Sequence, residues 1–346
     1  MNAPLQDVHV VEFSGLGPAP FAAMLLADMG AKVTRILRPG RSARTESQAF
    51  LGRNRNDIQL DLRTEEGREK ARDLIRRADA LIEGFRPGKM EKLGLGPDQV
   101  MPLNPRLIYG RMTGWGQSGP LAALAGHDLN YLALSGLLSL IGPQDAPPPP
   151  PLNLVSDFGG GGMYLAFGLL TALWQARATG KGAIVDAAMV HGTTHLATFI
   201  HGLYAGGRWS GPREGNLLDG GAPFYRTYET RDGRYVAVAA LEAEFFQELV
   251  ETLQLDPSFA GDQYNRGRWP EIAESLRRVF AARDLSEWTE IFAHSDACVS
   301  PVLTLDEALA HPQMRDCFCQ RAGIVEPAPA PRITSWPPDH IGERPS

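Results

Sequence analysis

Over its first 115 residues the chain alternates short apolar, β-type runs with helical ones, and this alternation constrains the fold more than anything else in it. Val8 to Phe13 reads as a buried strand. Ser14-Gly15-Leu16-Gly17-Pro18-Ala19-Pro20 then turns into an apolar helix running through Met29, and Lys32 to Leu37 reads as a second strand. A strand is expected at Ile58 to Leu62 and a helix from Thr64 to Arg77, with Thr64 as N-cap and Glu65 and Glu66 in its first turn. Further strands follow at Ala80 to Ile82 and Leu107 to Arg111. The βαβ repetition predicts an α/β fold: a Rossmann-like parallel sheet with helices on both faces. Gly15-x-Gly17 invites a dinucleotide reading. The third glycine of that fingerprint would fall at Pro20, however, and the second strand ends on Arg38 rather than on an acid, so nicotinamide is not implied.

Ligands of such sheets bind outside the carboxyl ends of the strands. Arg38, Arg53, Arg63, Arg86 and Lys89 all follow predicted strand ends or lie in the flanking loops, a surplus of cations suited to a polyanion such as a phosphate ester. The alternative is that they are ordinary solvated charges.

At 346 residues the chain exceeds what one hydrophobic core usually supports, so two domains are expected. Gly126 to Ile141 is patterned as helix, Pro147 to Pro151 as a polyproline spacer, Phe158 to Ala176 as an apolar helix entered through four glycines, and Val185 to Tyr204 as a second helical run. Glycine- and proline-rich segments then mark a linker. Beyond it, Phe224 to Glu229 and Tyr235 to Ala239 flank Thr230-Arg231-Asp232-Gly233 as a hairpin, followed by helices near 243–253, 269–281 and 285–292. The expected division is a large domain over 1–190, a linker over 191–222, a smaller α+β domain over 223–324, and a tail, 325–346, that rejoins the first domain. A net charge of -6 with scattered Lys and Arg gives no footprint for nucleic acid. No window approaches 18 uninterrupted apolar residues and the N-terminus has no basic-then-apolar leader, so neither a membrane span nor export is expected and the location reads as cytoplasmic. Three cysteines without metal-site spacing suit reduced thiols.

For chemistry, His127 and Asp157 stand out, each beside irregular or glycine-rich backbone. If they meet, they make an acid/base pair. A lone histidine is more often structural, and Asp157 could simply cap the helix that follows, although a cap does not account for four glycines. Glu242 follows a strand and could cap the next helix; Asp128 could be a surface carboxylate. His191 and His195, with His201 downstream, have the spacing of metal ligands, but a packed helix is the simpler assignment and no metal is expected. No Gly-x-Ser-x-Gly elbow or Walker sequence occurs, and Cys298 has no partner signature.

These motifs together resemble the α-methylacyl-CoA racemases, within the family III CoA-transferase superfamily. The similarity spans nearly the whole chain: Val11-Glu12-Phe13, Met29-Gly30-Ala31, Arg53-Asn54-Arg55, Glu83-Gly84-Phe85-Arg86-Pro87-Gly88, Arg111 to Gln117, Gly126-His127-Asp128, Asp157-Phe158-Gly159-Gly160-Gly161, Val185 to Met189 and Ser295 to Val299. The aspartate before the glycines is shared across the superfamily. Transferases usually carry tyrosine or phenylalanine where this chain has His127, so the resemblance favours racemase; the alternative is a CoA-transferase with Asp157 as the acylated nucleophile.

The resemblance implies that His127 and Asp157 are two catalytic bases, with Glu242 supporting His127 and Asp128 near Asp157. It also implies that Arg38, Arg53, Arg63 and Arg86 hold the phosphates of coenzyme A while Met112 and Thr113 line its path. The family's fold is an intertwined homodimer, each active site lying between the large domain of one subunit and the small domain of the other. The resemblance likewise implies an acyl-CoA substrate with no separate cofactor. Removing a proton α to a thioester needs a base on one face, an acid on the other and stabilisation of the enolate oxygen. For the last role the N–H of Asp157, with Gly159 and Gly160 allowing close approach, is the candidate. A helix N-terminus would lower the Asp157 pKa, whereas burial and Asp128 would raise it; burial is expected to win.

Overall fold

The structure is a computed structural model and describes residues 3–40, 50–209, 211–321 and 323–334. The chain divides into two compact units. The first comprises the described parts of Met1–Ser135, Pro151–Ala197 and Cys317–Ser346; the second comprises Gly136–Pro150 and Thr198–Asp316.

The first unit is built on a six-stranded sheet among the described residues: β1 (His9–Phe13), β2 (Lys32–Leu37), β3 (Arg55–Gln59), β4 (Ala80–Glu83), β5 (Ile108–Thr113) and β6 (Ala183–Ala188). Its order is β3-β2-β1-β4-β5-β6 and every neighbouring pair is parallel. Helix α1 (Pro18–Asp28) joins β1 to β2 and α2 (Glu65–Ile75) precedes β4. Further along lie α3 (Asp128–Leu134), a π-helix (Leu154–Met163), α4 (Tyr164–Thr179) and α5 (Met189–Leu196). The apolar runs explain the sheet. Val8 and Val10 enter one core with α1 and α4, whereas Val11 and Phe13 enter another with α2, because successive side chains of a strand face opposite sides. Every residue of β5 is buried, as a central parallel strand requires. Thr64 caps α2 as expected, accepting the Gly67 N–H at 3.1 Å.

Two elements depart from the sequence reading. The strand expected at Ile58 to Leu62 begins instead at Arg55. Its first residues are polar because they form ion pairs: Asp57 with the facing Arg35 of β2 at 2.8 Å, and Arg55 with Glu12 of β1, one strand further, at 2.9 Å, so the apolar signal starts late. The first residues of the expected helical run from Val185 belong to β6, paired with β5 from Ile108↔Ala183 to Thr113↔Ala188; only from Met189 is the chain helical.

In the second unit α6 (Thr198–Ala205) leads to β7 (Tyr225–Glu229) and β8 (Tyr235–Ala239), the expected hairpin, with β9 (Val299–Pro301) completing an antiparallel sheet. Helices α7 (Ala243–Thr252), α8 (Trp269–Phe280) and α9 (Leu285–Ile291) enclose an aromatic core in which Phe280 stacks on Tyr228 and meets Trp288 edge-on. The hairpin of β10 (Phe318–Arg321) and β11 (Ile324–Pro327) returns to the first unit. Among the described residues no helix is long and apolar enough to cross a membrane.

Candidate active site

His127 is the N-cap of α3, in extended conformation, with its side chain exposed and its N–H donated to Asn130 Oδ1 at 3.1 Å. The next residue, Asp128, is buried. Its Oδ2 accepts two backbone N–H groups, those of Ser156 and Asp157, each at 2.7 Å. Adjacent residues of one short helix thus present the imidazole and grip the backbone of the second acid/base candidate. The structure brings His127, Asp128 and Asp157 together within the first unit.

Asp157 does not cap the following helix, the alternative weighed for it from the sequence. It lies inside a π-helix that starts three residues earlier, at Leu154. Long π-helices are rare and π turns concentrate at functional sites. Here the neighbours account for the glycines: a Cβ on Gly160 would sit 2.6 Å from Thr193 of α5, and one on Gly162 would sit 2.6 Å from Phe21 of α1. Gly192 of α5 is equally tight, since a Cβ there would lie 1.8 Å from the Gly160 carbonyl oxygen. The run packs protein against protein, so Gly160 is buried rather than open to a ligand. Gly159 is half-buried beside Leu196. The expected enolate donor is corrected as well: the Asp157 N–H is engaged by Asp128.

The carboxyl of Asp157 is half-buried, and the charge that acts most strongly on it is that of another carboxylate, Asp128. Burial first, and then the charge of Asp128, raise its pKa above the ordinary aspartate value, opposed by a long contact from Asn153 Nδ2 (3.5 Å) and by His127. The tension between helix dipole and burial therefore resolves upward. Across from it, Gly17, at φ +66° in the β1–α1 turn, comes close enough that a Cβ would lie 3.7 Å from Asp157 Oδ2. The Tyr131 hydroxyl is pushed up to about 12 by burial and by Asp157, and its ring meets Trp115 edge-on at 4.6 Å. Asn153 escaped the sequence reading. Its position four residues before Asp157 would have marked it only once the helix was known to begin ahead of the aspartate.

A cavity of about 360 Å³ opens at the carboxyl ends of β1 to β4, where the topology reverses direction around β1 and β4. Phe13, Leu62 and Phe85 give it apolar walls, and Arg38, Arg63 and Lys89 line it with positive charge. Arg63 pairs with Asp61 at 2.7 Å but stays largely exposed. Arg86 is exposed in the turn after Phe85. That turn is fixed by Glu83, which accepts the Phe85 N–H at 2.8 Å and pairs with Arg111; burial pushes Glu83 up to about 7.

Arg53 is not part of this cluster. It is buried against Asp28, donates to the Pro327 carbonyl at 2.9 Å and lies 3.7 Å from Glu326, so its guanidinium ties the β10–β11 hairpin to the first unit and leaves no group for a phosphate. Arg55 is likewise turned inward, to Glu12 and to the carbonyls of Arg53 and Pro20. Met112 is buried in the core, and Thr113 Oγ1 accepts the Gly116 N–H at 3.1 Å.

Glu242 belongs to the second unit, at the N-cap of α7. Its side chain makes no capping hydrogen bond, so capping does not explain it. His195 meets the Tyr164 hydroxyl at 2.7 Å, and His191 is exposed near Gly116. Among the described residues no group of three or more His, Cys, Asp and Glu could hold a metal.

Comparison with known proteins adds a family to this geometry. The model of CoA-transferase family III matches residues 5–323. Proteins named alpha-methylacyl-CoA racemase from mouse and human are 44% and 45% identical to the chain over 340 and 336 residues, covering 96% of it and 87% of each of theirs. A solved CAIB/BAIF family protein from Brucella suis, 26% identical, superposes with a TM-score of 0.80 over 96% of the chain and 93% of its own.

Proposed function

The chain belongs to CoA-transferase family III, and from that premise we propose that it is a racemase interconverting (R)- and (S)-2-methylacyl-CoA thioesters by moving one proton at C2. The observation that carries this reading is the grip of Asp128 on the Asp157 backbone: one residue links the imidazole of His127 to the carboxyl of Asp157 in a fixed relation, as two-base chemistry needs.

One group takes the C2 proton, leaving an enolate, and the other returns a proton to the opposite face; the roles exchange with the epimer that enters. A carboxyl raised by burial and by Asp128 is suited to giving a proton as well as taking one. With the Asp157 N–H engaged, the enolate oxygen needs another donor. The first N–H groups of a helix have no intrahelical partner, so we assign that role to the Asp128 amide, which opens α3. Each such donor is typically worth about 3 kcal/mol.

The coenzyme A moiety enters the cavity at the strand ends, its phosphates facing Arg38, Arg63, Arg86 and Lys89. Glu242 supports His127 from the small domain of a partner subunit in a homodimer. An exposed row on α4 and the residue before it, Met163, Phe167, Leu170 and Trp174, is the kind of surface a second subunit would cover. The reaction changes no oxidation state, so it calls for no redox cofactor, and the thioester itself supplies the acidity at C2. A cytoplasmic location completes the proposal.

The test is a single pure epimer of a 2-methylacyl-CoA in deuterated water. Both epimers labelled at C2 are expected. Thioester appearing on an added free acid, without label at C2, would decide instead for CoA transfer through acylated Asp157.

A further inference from the structure

β8 ends at Ala239 and α7 begins at Ala243, so Glu242 sits at the end of a three-residue turn, Ala240-Leu241-Glu242. A strand that leaves its sheet orphans the carbonyls of the residues that follow, and buried carbonyls need donors. Here one side chain supplies both. Gln263, only 3% exposed, donates from Nε2 to the Ala240 carbonyl at 3.0 Å and to the Leu241 carbonyl at 2.9 Å. The two hydrogens of a carboxamide fit two successive peptide oxygens. Tyr264 gives its hydroxyl to the same Leu241 oxygen.

Gln263 is itself held. Its backbone carbonyl receives the Trp269 Nε1–H at 2.8 Å, which anchors it to the first residue of α8, and Leu241 N–H closes the turn onto the Ala239 carbonyl at 2.9 Å. Two consecutive peptide planes are therefore fixed immediately before Glu242. The Glu242 side chain makes no capping hydrogen bond to its own helix. Its direction follows from the backbone that presents it, and that backbone is set by Gln263. Burial first, and then the charge of Glu242, raise the pKa of the neighbouring Tyr264 phenol.

We propose that Gln263, seconded by Tyr264, is a positioning residue that aims Glu242 at its target by clamping the β8–α7 turn. The inference rests on the role given to Glu242 under the proposed function. It adds a residue that touches neither substrate nor His127.

The full-length chain serves for the test. Gln263→Met keeps the length and burial of the side chain and removes both donors. Its kcat for C2 exchange should fall by on the order of 10²-fold with KM near the wild-type value, the mark of misplaced chemistry rather than lost binding. Tyr264→Phe should fall less, in the same sense. In the double variant with Glu242→Gln the loss should not exceed that of Glu242→Gln alone, because the effect runs through Glu242. Wild-type kcat in folded Gln263→Met, or losses that multiply in the double variant, would overturn the proposal. If Gln263→Met does not fold, Tyr264→Phe carries the same cycle with Glu242→Gln. Full activity in Glu242→Gln is a separate outcome: it overturns the role of Glu242 itself, and the clamp's catalytic meaning with it.

Discussion

Asp28 and Asp157 are aspartates of the same unit in opposite surroundings. Asp28 is buried against the guanidinium of Arg53, with Asn54 Nδ2 donating to it at 3.0 Å, and nearby Glu12 is buried against Arg55. Asp157 is half-buried with another carboxylate, Asp128, as the charge that acts most strongly on it. Where the charges balance, the pair is structural: Arg53 holds the C-terminal hairpin and Arg55 the edge of the sheet. Where a carboxyl is left beside a like charge, folding gains nothing from its ionisation, which is the arrangement the proposed acid/base role calls for.

The contrast can be broken from either side. The largest effect is expected at Arg53. Arg53→Ala strands the buried carboxyl of Asp28 and should lower unfolding stability by about 3–5 kcal/mol, read from the denaturant midpoint. Arg63→Ala, a largely exposed side chain on the cavity rim, should change stability by less than about 0.5 kcal/mol and raise KM for the CoA thioester instead. Equal destabilisation by the two would erase the distinction between inward and rim arginines.

Asp157→Asn should behave in the reverse way to Arg53→Ala. A carboxyl whose folded pKa lies above its unfolded value contributes stability below the unfolded pKa and loses it as pH rises through the folded one, so the ionised form is the unfavourable one. The neutral amide should leave the thermal midpoint at pH 7 equal to or above that of the wild type, with the difference vanishing in acid below the ordinary aspartate range. A clearly lower midpoint at pH 7 would mean that Asp157 is structural after all.

A smaller and sharper effect is expected from Asp128→Asn. The amide oxygen can still accept the Ser156 and Asp157 N–H groups while the negative charge is gone. The Asp157 pKa should fall, and the limb of the pH–rate profile that reports it should move to lower pH in both reaction directions. A limb that stays put would remove Asp128 from the electrostatics of the site.

Much of this was legible beforehand. The apolar runs at Val8 to Phe13 and Leu107 to Arg111 placed central strands because buried parallel strands read as nearly continuous hydrophobic segments. Thr64 capped its helix, and Thr230 to Gly233 turned its hairpin. What escaped depended on contacts between distant residues. Nothing local distinguishes Arg53 from Arg63: both are arginines near a strand end, and only the position of Asp28 turns one inward. Nothing in Asp157-Phe158-Gly159 says that a helix has already begun at Leu154, because the cause lies in Asp128 drawing the Ser156 and Asp157 amides and in α1 and α5 crowding the glycines. The pattern drew attention to this segment and misjudged what its glycines are for.

The central claim is that His127 and Asp157 each serve one face of C2. Deuterium uptake at C2 from each pure epimer, measured in parallel for His127→Ala and Asp157→Asn, addresses it most directly. Each variant should retain exchange with one epimer only, the two variants keeping opposite ones, while epimerisation falls by about 10²–10⁴-fold in both. Exchange of both epimers at the wild-type rate in either variant, or the same epimer retained by both, would contradict the two-base account.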